Sequence, residues 1–242
     1  MAITDQVKRE ADRIEDPRLL ADARCLEAWL TINRELGSGR SSDAALPAIE
    51  TCLRLRRELE DGRGIAEPMF LTGLAREHVP DASENDIDEA MALYRESYRL
   101  AVEEQDKRIQ SYAAYHTGTV HARKGELDEA LGCFEEAYAL RSEIGMAVYL
   151  PGPRLAIGRA FLAKGDLEKA EAHCREALRL AENVGHHAFR FFARMGLGDV
   201  AKAQSRDGEA RSHFEHALVI GRELEHEAFV DRARRALDAL CS

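Results

Sequence analysis

The sequence predicts an all-α protein, and three observations lead to this prediction. Aromatic residues, which strands favour, make up only 6% of the 242 residues. Residues that favour helices fill long segments between short turns. Alanines recur every 40 residues, at Ala90, Ala130, Ala170 and Ala210. A repeat of this length is typical of stacked helix pairs, so we expect an α-solenoid of about five pairs with capping helices at its ends.

Each of these alanines begins an apolar stripe on the second helix of a pair. The large side chains four positions later are Tyr94, Phe134, Cys174 and Phe214, and the small ones seven positions later are Ser97, Ala137, Ala177 and Ala217. Offsets of four and seven lie on one face of a helix. Because small and large side chains alternate there, we expect neighbouring helices to approach closely and interdigitate.

Glycines recur with the same period in the helix that precedes each stripe, at Gly73, Gly118, Gly158 and Gly198, with a first gap of 45 residues. A glycine inside a helix costs about 1 kcal/mol relative to alanine, so its recurrence predicts a backbone-to-backbone contact that a Cβ would obstruct. Other glycines mark turns. Gly125 and Gly165 fall within repeats and Gly145 and Gly185 between them, where glycine suits the left-handed end of a helix.

These patterns predict a single array over residues 1–242. We expect an N-terminal helix in 1–18, repeats in 19–62, 63–106, 107–146, 147–186 and 187–226, and a capping helix in 227–242. The apolar stripe of the capping helix comprises Phe229, Ala233, Ala236, Leu237 and Leu240. Residues 80–88 form an acidic insertion in the second repeat, which we expect to be a solvated loop with Asn85 or Asp86 capping the following helix.

Prolines distinguish the start of the fourth repeat. Pro151 and Pro153 flank Gly152, and Pro68 stands at the position equivalent to Pro153. Since proline is tolerated in a first helical turn but obstructs continuation backwards, these helices should begin late or kink. The alternative is that Leu-Pro-Gly-Pro simply ends one connection.

Two segments carry a family resemblance. The pattern W-x-x-I-N-x-x-L in 29–36 and the run from Gly118 through KGELDEALGCFEEAYAL to Leu140 resemble tetratricopeptide repeats. The period exceeds the usual value of about 34 residues. It is similar to the longer variety in bacterial transcriptional regulators, and LRRELEDGRGIAEPMF in 55–70 is typical of that group. The resemblance implies a right-handed superhelix whose concave face is lined by the first helices of the pairs.

That implied concave face supplies the candidate binding residues. They are Arg34, Phe70, Tyr112, Tyr115, His116, Arg123, Leu155, Arg159, Phe192, Met195 and Lys202. Aromatic residues and arginine dominate binding hot spots, so we expect a protein or peptide partner of acidic or apolar character. The lysines and asparagines of the carboxylate clamp in some tetratricopeptide proteins have no match at the equivalent positions. An alternative is that these side chains pack against each other, or that the assumed register is off by one.

The leading functional hypothesis is a non-catalytic, regulatory scaffold that binds a partner segment in this groove. One alternative is a sensor of a small ligand or signalling peptide, like the pheromone receptors built on similar repeats. Another is an enzyme that uses the groove around Tyr112, Tyr115, His116 and Arg159. Since the sequence contains no GxxxxGK[ST], GxSxG, HExxH or GxGxxG motif, we expect no catalysis, cofactor or metal.

Charge and cysteine content bear on the partner class and the compartment. The chain has 34 Lys and Arg against 44 Asp and Glu, and a net charge of −10 argues against nucleic acid and anionic membranes. Five cysteines without metal-ligand spacing suggest free thiols in a reducing compartment. With no long apolar run, we expect a cytoplasmic protein. Homo-oligomerisation through the ends of the stack stays open.

Overall fold

The computed structural model describes residues 3–38, 41–59, 64–79 and 82–240. Within these residues the chain forms twelve α-helices, joined by turns and two short 3-10 segments, and no strand. The all-α prediction is therefore confirmed. The helices fall into two compact units, Met1–Val120 and His121–Ser242, and the division lies inside a helix.

The first unit consists of helix pairs preceded by a short helix. Its helices are α1 (Ile3–Ala11), α2 (Pro17–Ser38), α3 (Leu46–Glu58), α4 (Ala66–Glu77), α5 (Glu84–Glu103) and the greater part of α6 (Lys107–Arg123). Helix α2 packs against α3 and α4 against α5, while α1 lies on α2. The even-numbered helices from α2 onward are thus the first helices of the pairs.

The second unit continues the same arrangement. Its helices are α7 (Leu127–Glu143), α8 (Pro151–Lys164), α9 (Leu167–Asn183), α10 (His187–Ala203), α11 (Asp207–Glu223) and α12 (Glu227–Asp238). Helix α8 packs against α9, α10 against α11, and α12 against α11. The predicted stripe of the capping helix lies in the core that surrounds Phe191 and Phe214. The terminal cap is therefore confirmed, while residues 241–242 lie outside the described residues.

The 40-residue stripes form the buried seams of the pairs. Ala90, Ala130, Ala170 and Ala210 are all completely buried, and the large side chains at Tyr94, Phe134, Cys174 and Phe214 are at most 2% exposed. The small residues of the next column are equally enclosed. The prediction that these offsets define one packed helix face is confirmed.

The recurring helical glycines receive the large side chain of the partner helix. A Cβ at Gly73 would lie 2.8 Å from the Tyr94 ring, and one at Gly158 would lie 2.7 Å from the Cys174 sulfur. At Gly198 it would lie 2.3 Å from the ring of Phe214. The prediction that a Cβ would be obstructed holds at these three positions. The nearest obstacle, however, is a side chain and not the backbone we expected, since at Gly73 and Gly158 the closest carbonyl oxygens are 3.3 and 3.2 Å away.

Left-handed turns recur every 20 residues, whether or not the residue is glycine. Positive φ angles occur at Gly125, Gly145, Gly165 and Gly185, as expected, and also at Gln105, Ser205 and Glu225. Each turn closes with the same hydrogen bond from the following residue back to a carbonyl five positions earlier, for example from the His226 amide to the Gly221 oxygen at 3.0 Å. The backbone geometry of the turn is therefore constant, and three residues adopt it against their own preference.

Glu225→Gly is expected to raise the free energy of unfolding by about 0.5–1 kcal/mol. A left-handed conformation costs a non-glycine residue about 1–2 kcal/mol, and part of this gain is lost to the greater freedom of glycine in the unfolded chain. Urea unfolding followed by circular dichroism measures the change. Gly185→Ala, at the equivalent turn one repeat earlier, is the matched control and should lower stability by about 1 kcal/mol. A shift of both variants in the same direction would contradict the strain argument.

The acidic insertion is shorter as a loop than we expected. Helix α5 already begins at Glu84, so the second half of the predicted segment 80–88 is helical. Its N-cap is Ser83, whose hydroxyl accepts from the Asp86 amide, while the Asp86 carboxylate accepts from the Ser83 amide at 2.8 Å. The expected cap at Asn85 or Asp86 was therefore wrong, and Asp86 instead completes a capping box. Pro80 and Asp81 lie outside the described residues.

The proline-rich start of the fourth repeat does delay its helix. Helix α8 begins at Pro151, whereas α10 begins at His187, which is equivalent to position 147. A 3-10 segment, Ala147–Tyr149, replaces the missing turn. The buried Arg141 holds it by donating to the Tyr149 carbonyl at 3.0 Å. The expected late start is confirmed, and it has a side-chain anchor that the sequence did not indicate.

Cys25, Cys52, Cys133 and Cys174 are free thiols, as expected, and Cys241 lies outside the described residues. The described part of the chain has no group of three His, Cys, Asp or Glu side chains placed to hold a metal ion. None of the described helices has both the length and the apolar character needed to cross a membrane.

Candidate functional site

In the first unit, three successive first helices bring aromatic rings together. The Phe70 centroid lies 5.6 Å from that of Trp29 and 5.7 Å from that of Tyr112, and the latter two lie 5.2 Å apart. We call these three residues the aromatic cluster. Phe70 is completely buried, whereas Trp29 and Tyr112 are half-buried. The expectation of Phe70 as an exposed groove floor is therefore corrected. Its ring supports the other two, which are the ones a partner can reach.

A charged pair borders the aromatic cluster. Glu67 of α4 accepts from the Trp29 indole nitrogen at 2.6 Å and from Arg108 of α6 at 2.9 Å. This carboxylate therefore fixes the indole ring on one side and a guanidinium group on the other. Since Arg108 remains partly exposed, the cluster presents apolar rings beside a cation. Such an arrangement suits an amphipathic partner.

A largely buried carboxylate, that of Glu77 in α4, lies at the centre of a second polar group. It accepts a 2.5 Å hydrogen bond from the Tyr94 hydroxyl, and its oxygen lies 2.9 Å from Nδ1 of His116. Burial alone would raise the pKa of Glu77, but the neighbouring His116 and these hydrogen bonds outweigh burial and lower the pKa to about 2. Glu77 is therefore a structural anion that joins α4, α5 and α6.

The other predicted residues of the first unit differ in their accessibility. Arg34 is exposed and forms an ion pair with Glu35 at 2.8 Å. Tyr115 is half-buried, with its ring 5.3 Å from that of His116. His116 is 18% exposed and engaged with Glu77. Tyr112, Tyr115 and Arg34 therefore remain candidates for partner contact, while His116 is held by an internal contact.

In the second unit, two arginines approach one aromatic ring. The guanidinium carbon of Arg159, from α8, lies 5.8 Å from the centroid of Phe192, and that of Arg232, from α12, lies 5.7 Å from the same centroid. Phe192, from α10, rests on Phe191 and Phe229 at centroid distances of 5.3 and 5.1 Å. We call Arg159, Phe192 and Arg232 the arginine site.

The positive charges of the arginine site lack ion-pair partners among the described residues. Both arginines are exposed, and neither forms an ion pair with any described residue. Partial burial, together with the like charge of Arg159, lowers the pKa of Arg232. Asp199 of α10 is half-buried nearby, and burial raises the pKa of its carboxyl although Arg232, Arg159 and Lys202 act in the opposite direction. The cations of this surface are thus only partly neutralised.

The remaining predicted residues of the second unit divide into buried and exposed positions. Leu155 and Met195 are 5% and 3% exposed and belong to the packed cores. Their expected place on the groove floor is corrected, because they face the neighbouring helices. Lys202 is exposed and donates to the Ala239 carbonyl at 3.1 Å, which fastens the end of α12. Arg123 is exposed at the end of α6.

Sequence reasoning missed Arg232 as a site residue. It treated α12 only as a cap on the last repeat. This helix begins 40 residues after α10, however, so it occupies the position of the first helix of a further repeat. In that register Arg232 is equivalent to Phe192, just as Asp199 is equivalent to Arg159. Extending the 40-residue period by one more helix would have indicated Arg232.

The helix pairs and their first-helix faces define the class of protein, an α-solenoid. Residues 153–223 match the tetratricopeptide repeat family model, and they cover the last two helix pairs. This part of the chain therefore consists of tetratricopeptide repeats. No curated protein sequence matches it.

Solved structures of other repeat proteins share the fold. The aspartyl phosphate phosphatase F of Bacillus subtilis aligns with 95% of this chain and 61% of its own, at 12% identity and a TM-score of 0.62. A Rap protein complexed with competence and sporulation factor aligns over 98% and 68%, at 14% identity and 0.67. BtubC of P. vanneervenii aligns over 99% and 88%, at 17% identity and 0.65. The chain thus spans less than two thirds of the phosphatase, and these likenesses show the fold alone.

Proposed function

We propose that this protein is a non-catalytic scaffold that binds a protein or peptide partner through the faces of its first helices. The observation that carries the proposal is the arginine site, where two exposed cations lie beside a half-buried phenylalanine. Tyr112 and Tyr115 offer similar half-buried aromatic surface in the first unit. Aromatic and arginine side chains are the residues that most often dominate binding energy. A regulatory role in a bacterial cytoplasm is part of this proposal.

A second candidate function is the sensing of a small ligand or signalling peptide. It is favoured by the Rap protein, whose structure contains competence and sporulation factor and shares the fold of this chain. A sensor would be stabilised by its specific ligand, with a thermal shift that grows with the logarithm of ligand concentration. A constitutive scaffold would show the same affinity for its partner regardless of such a ligand.

The burial around His116 weighs against the enzymatic alternative. A carboxylate on Nδ1, as Glu77 is here, also occurs in catalytic histidines, so the decisive point is whether a substrate can reach the hydroxyl of this group. The tyrosine that shares this carboxylate, Tyr94, is completely buried. These contacts support an internal, structural role for the group and therefore favour the non-catalytic proposal.

Random peptides displayed on phage and selected on the full chain test the proposed function. We combine Tyr115→Ala and Arg159→Ala in one variant and measure the binding of synthetic versions of the selected peptides by fluorescence polarisation. We expect this variant to bind them at least about tenfold more weakly than the parent chain does. The matched control combines Tyr138→Ala and Arg179→Ala, which remove the same residue types from second helices. Peptides that bind the first variant as tightly as the parent chain would exclude the first-helix faces as the binding surface.

A further inference from the structure

We propose that the arginine site binds a carboxylate of an acidic peptide partner, and that helix α12 is part of the binding surface as well as the cap of the last repeat. This inference rests on the proposed function and names the chemistry of the partner. It depends on three features of the second unit, namely unpaired cations, an apolar surface beside them and the placement of α12.

The first feature is positive charge without a counter-ion. Several other arginines of this unit have carboxylate partners, such as Arg206 with Glu171 at 2.7 Å and Arg154 with Glu135 at 3.4 Å. Arg159 and Arg232 have none among the described residues, although they approach the same ring. An anion bound close to both groups would relieve their mutual repulsion. The site is therefore built to gain from a negative group.

Asp199 does not neutralise the positive charge of these arginines. Its carboxylate acts electrostatically on Arg159, Arg232 and Lys202, but it lies beyond ion-pair distance of all three. Three cations thus act on one half-buried carboxylate, and the local charge is positive on a chain whose net charge is −10. A positive surface on an acidic protein is complementary to an acidic segment and steers it to this place.

The second feature is the apolar surface of Phe192. Its ring is half-buried and rests on Phe191 and Phe229, so its position is fixed before any partner arrives. The methylene groups of a glutamate, or the backbone next to a terminal carboxylate, can pack on the exposed part of the ring. Guanidinium groups bind a planar carboxylate with two parallel hydrogen bonds, and a stacked arginine loses little freedom in doing so.

The third feature is the placement of α12, which packs into the core and also carries Arg232. One side of this helix buries Ala233 and packs Phe229 and Leu237 into the core around Phe214. Arg232, which precedes the buried alanine, extends from another side towards Phe192. Because α12 continues the 40-residue register, it stands beside α11 as a first helix would. Its arginine therefore faces the surface on which the proposed function relies.

The test uses the isotope-labelled full chain and four small probes. The acetylated glutamate N-methylamide carries a side-chain carboxylate, acetylated alanine carries a C-terminal one, and the acetylated glutamine N-methylamide carries none. We expect saturable shifts of the Nε–Hε signals of Arg159 and Arg232 with one or both acids and no saturable shift with the neutral probe. The acid that binds more tightly distinguishes a side-chain from a terminal carboxylate. The acetylated phosphoserine N-methylamide is the fourth probe, and it tests whether the site prefers a phosphate to a carboxylate.

Substitution of each arginine completes the experiment. Arg159→Gln and Arg232→Gln should each weaken binding of the acidic probe about tenfold, because each removes a charge-assisted hydrogen bond. Arg222→Gln, the same change on an exposed position of α11, should leave binding unchanged. Absence of saturable shifts, equal binding by the arginine variants, or tighter binding of phosphoserine than of both acids would overturn the carboxylate assignment. Equal thermal melts of the three variants would show that folding is intact.

The peptides selected by display separate this inference from the proposed function. Replacing their glutamates and aspartates by the amides should abolish the effect of Arg232→Gln on affinity. If peptides bind the first-helix faces but tolerate both the amides and Arg232→Gln, the inference fails and the proposed function stands. If no peptide depends on those faces, the proposed function fails.

Discussion

Gly198→Ala is expected to lower the free energy of unfolding by about 2 kcal/mol, although alanine favours helices. The added Cβ would lie 2.3 Å from the ring of Phe214, which is 1% exposed and has no room to withdraw. Overpacking of this kind costs about 1–3 kcal/mol, and the severity of the contact places it at or above the upper end. The gain in helix propensity, about 1 kcal/mol, offsets only part of this cost.

Gly132→Ala is the matched control for this prediction. Gly132 lies within α7, and a Cβ there would have nothing within 4 Å. The same substitution should therefore raise stability by about 0.5–1 kcal/mol, so that the two variants change in opposite directions. Urea unfolding measures both. In a Phe214→Leu background, Gly198→Ala should cost less, because the smaller side chain leaves space. A stabilising Gly198→Ala would refute the packing argument.

Glu77→Gln is expected to lower the free energy of unfolding by about 2–3 kcal/mol at neutral pH. The carboxylate accepts from the buried Tyr94 hydroxyl and faces His116, and an amide retains one acceptor oxygen without the charge. Glu103→Gln, which removes the same charge from an exposed side chain of α5 that is 62% accessible, should change stability by less than about 0.5 kcal/mol. Thermal and urea unfolding give both values.

The effect of Glu77 should disappear in acid. The pKa of Glu77 is about 2 in the folded chain, whereas the ordinary value for a glutamate without these contacts is 4.5. A lowered carboxyl pKa stabilises the folded state above the unfolded value, and this contribution is lost as the pH falls through the folded value. The stability difference between wild type and Glu77→Gln should therefore shrink as the pH falls from 4.5 to 2. A difference that does not depend on pH in this window would contradict a charged Glu77.

The 40-residue period was sufficient to predict the helix pairs and their seams, because it records which side chains face each other within one pair. The columns that begin at Ala90 and Tyr94 are buried as that argument requires. The turns at Gln105, Ser205 and Glu225 could not be predicted from composition, since their conformation is imposed by the helices on either side and not by the residue. Periodicity therefore located the elements better than it explained their ends.

The candidate site was predicted less completely, for a physical reason. A helical face contains both the residues that support a surface and the residues that form it, and spacing alone does not separate them. Phe70, Leu155 and Met195 are buried supports, while Tyr112 and Phe192 remain half-exposed. The Glu77 group combines residues from three helices, and contacts between residues so far apart in the sequence become visible only in the folded structure. Arg232 was missed because its helix was treated solely as a cap.

The arginine site draws on three consecutive first helices, α8, α10 and α12, which links its chemistry to the number of repeats in the chain. Gain or loss of one 40-residue unit between Arg159 and Arg232 would preserve every helix seam, since each repeat contacts only its neighbours. It would nevertheless separate the two guanidinium groups from their shared ring. A change in repeat number that leaves the helix packing intact would therefore destroy the arginine site.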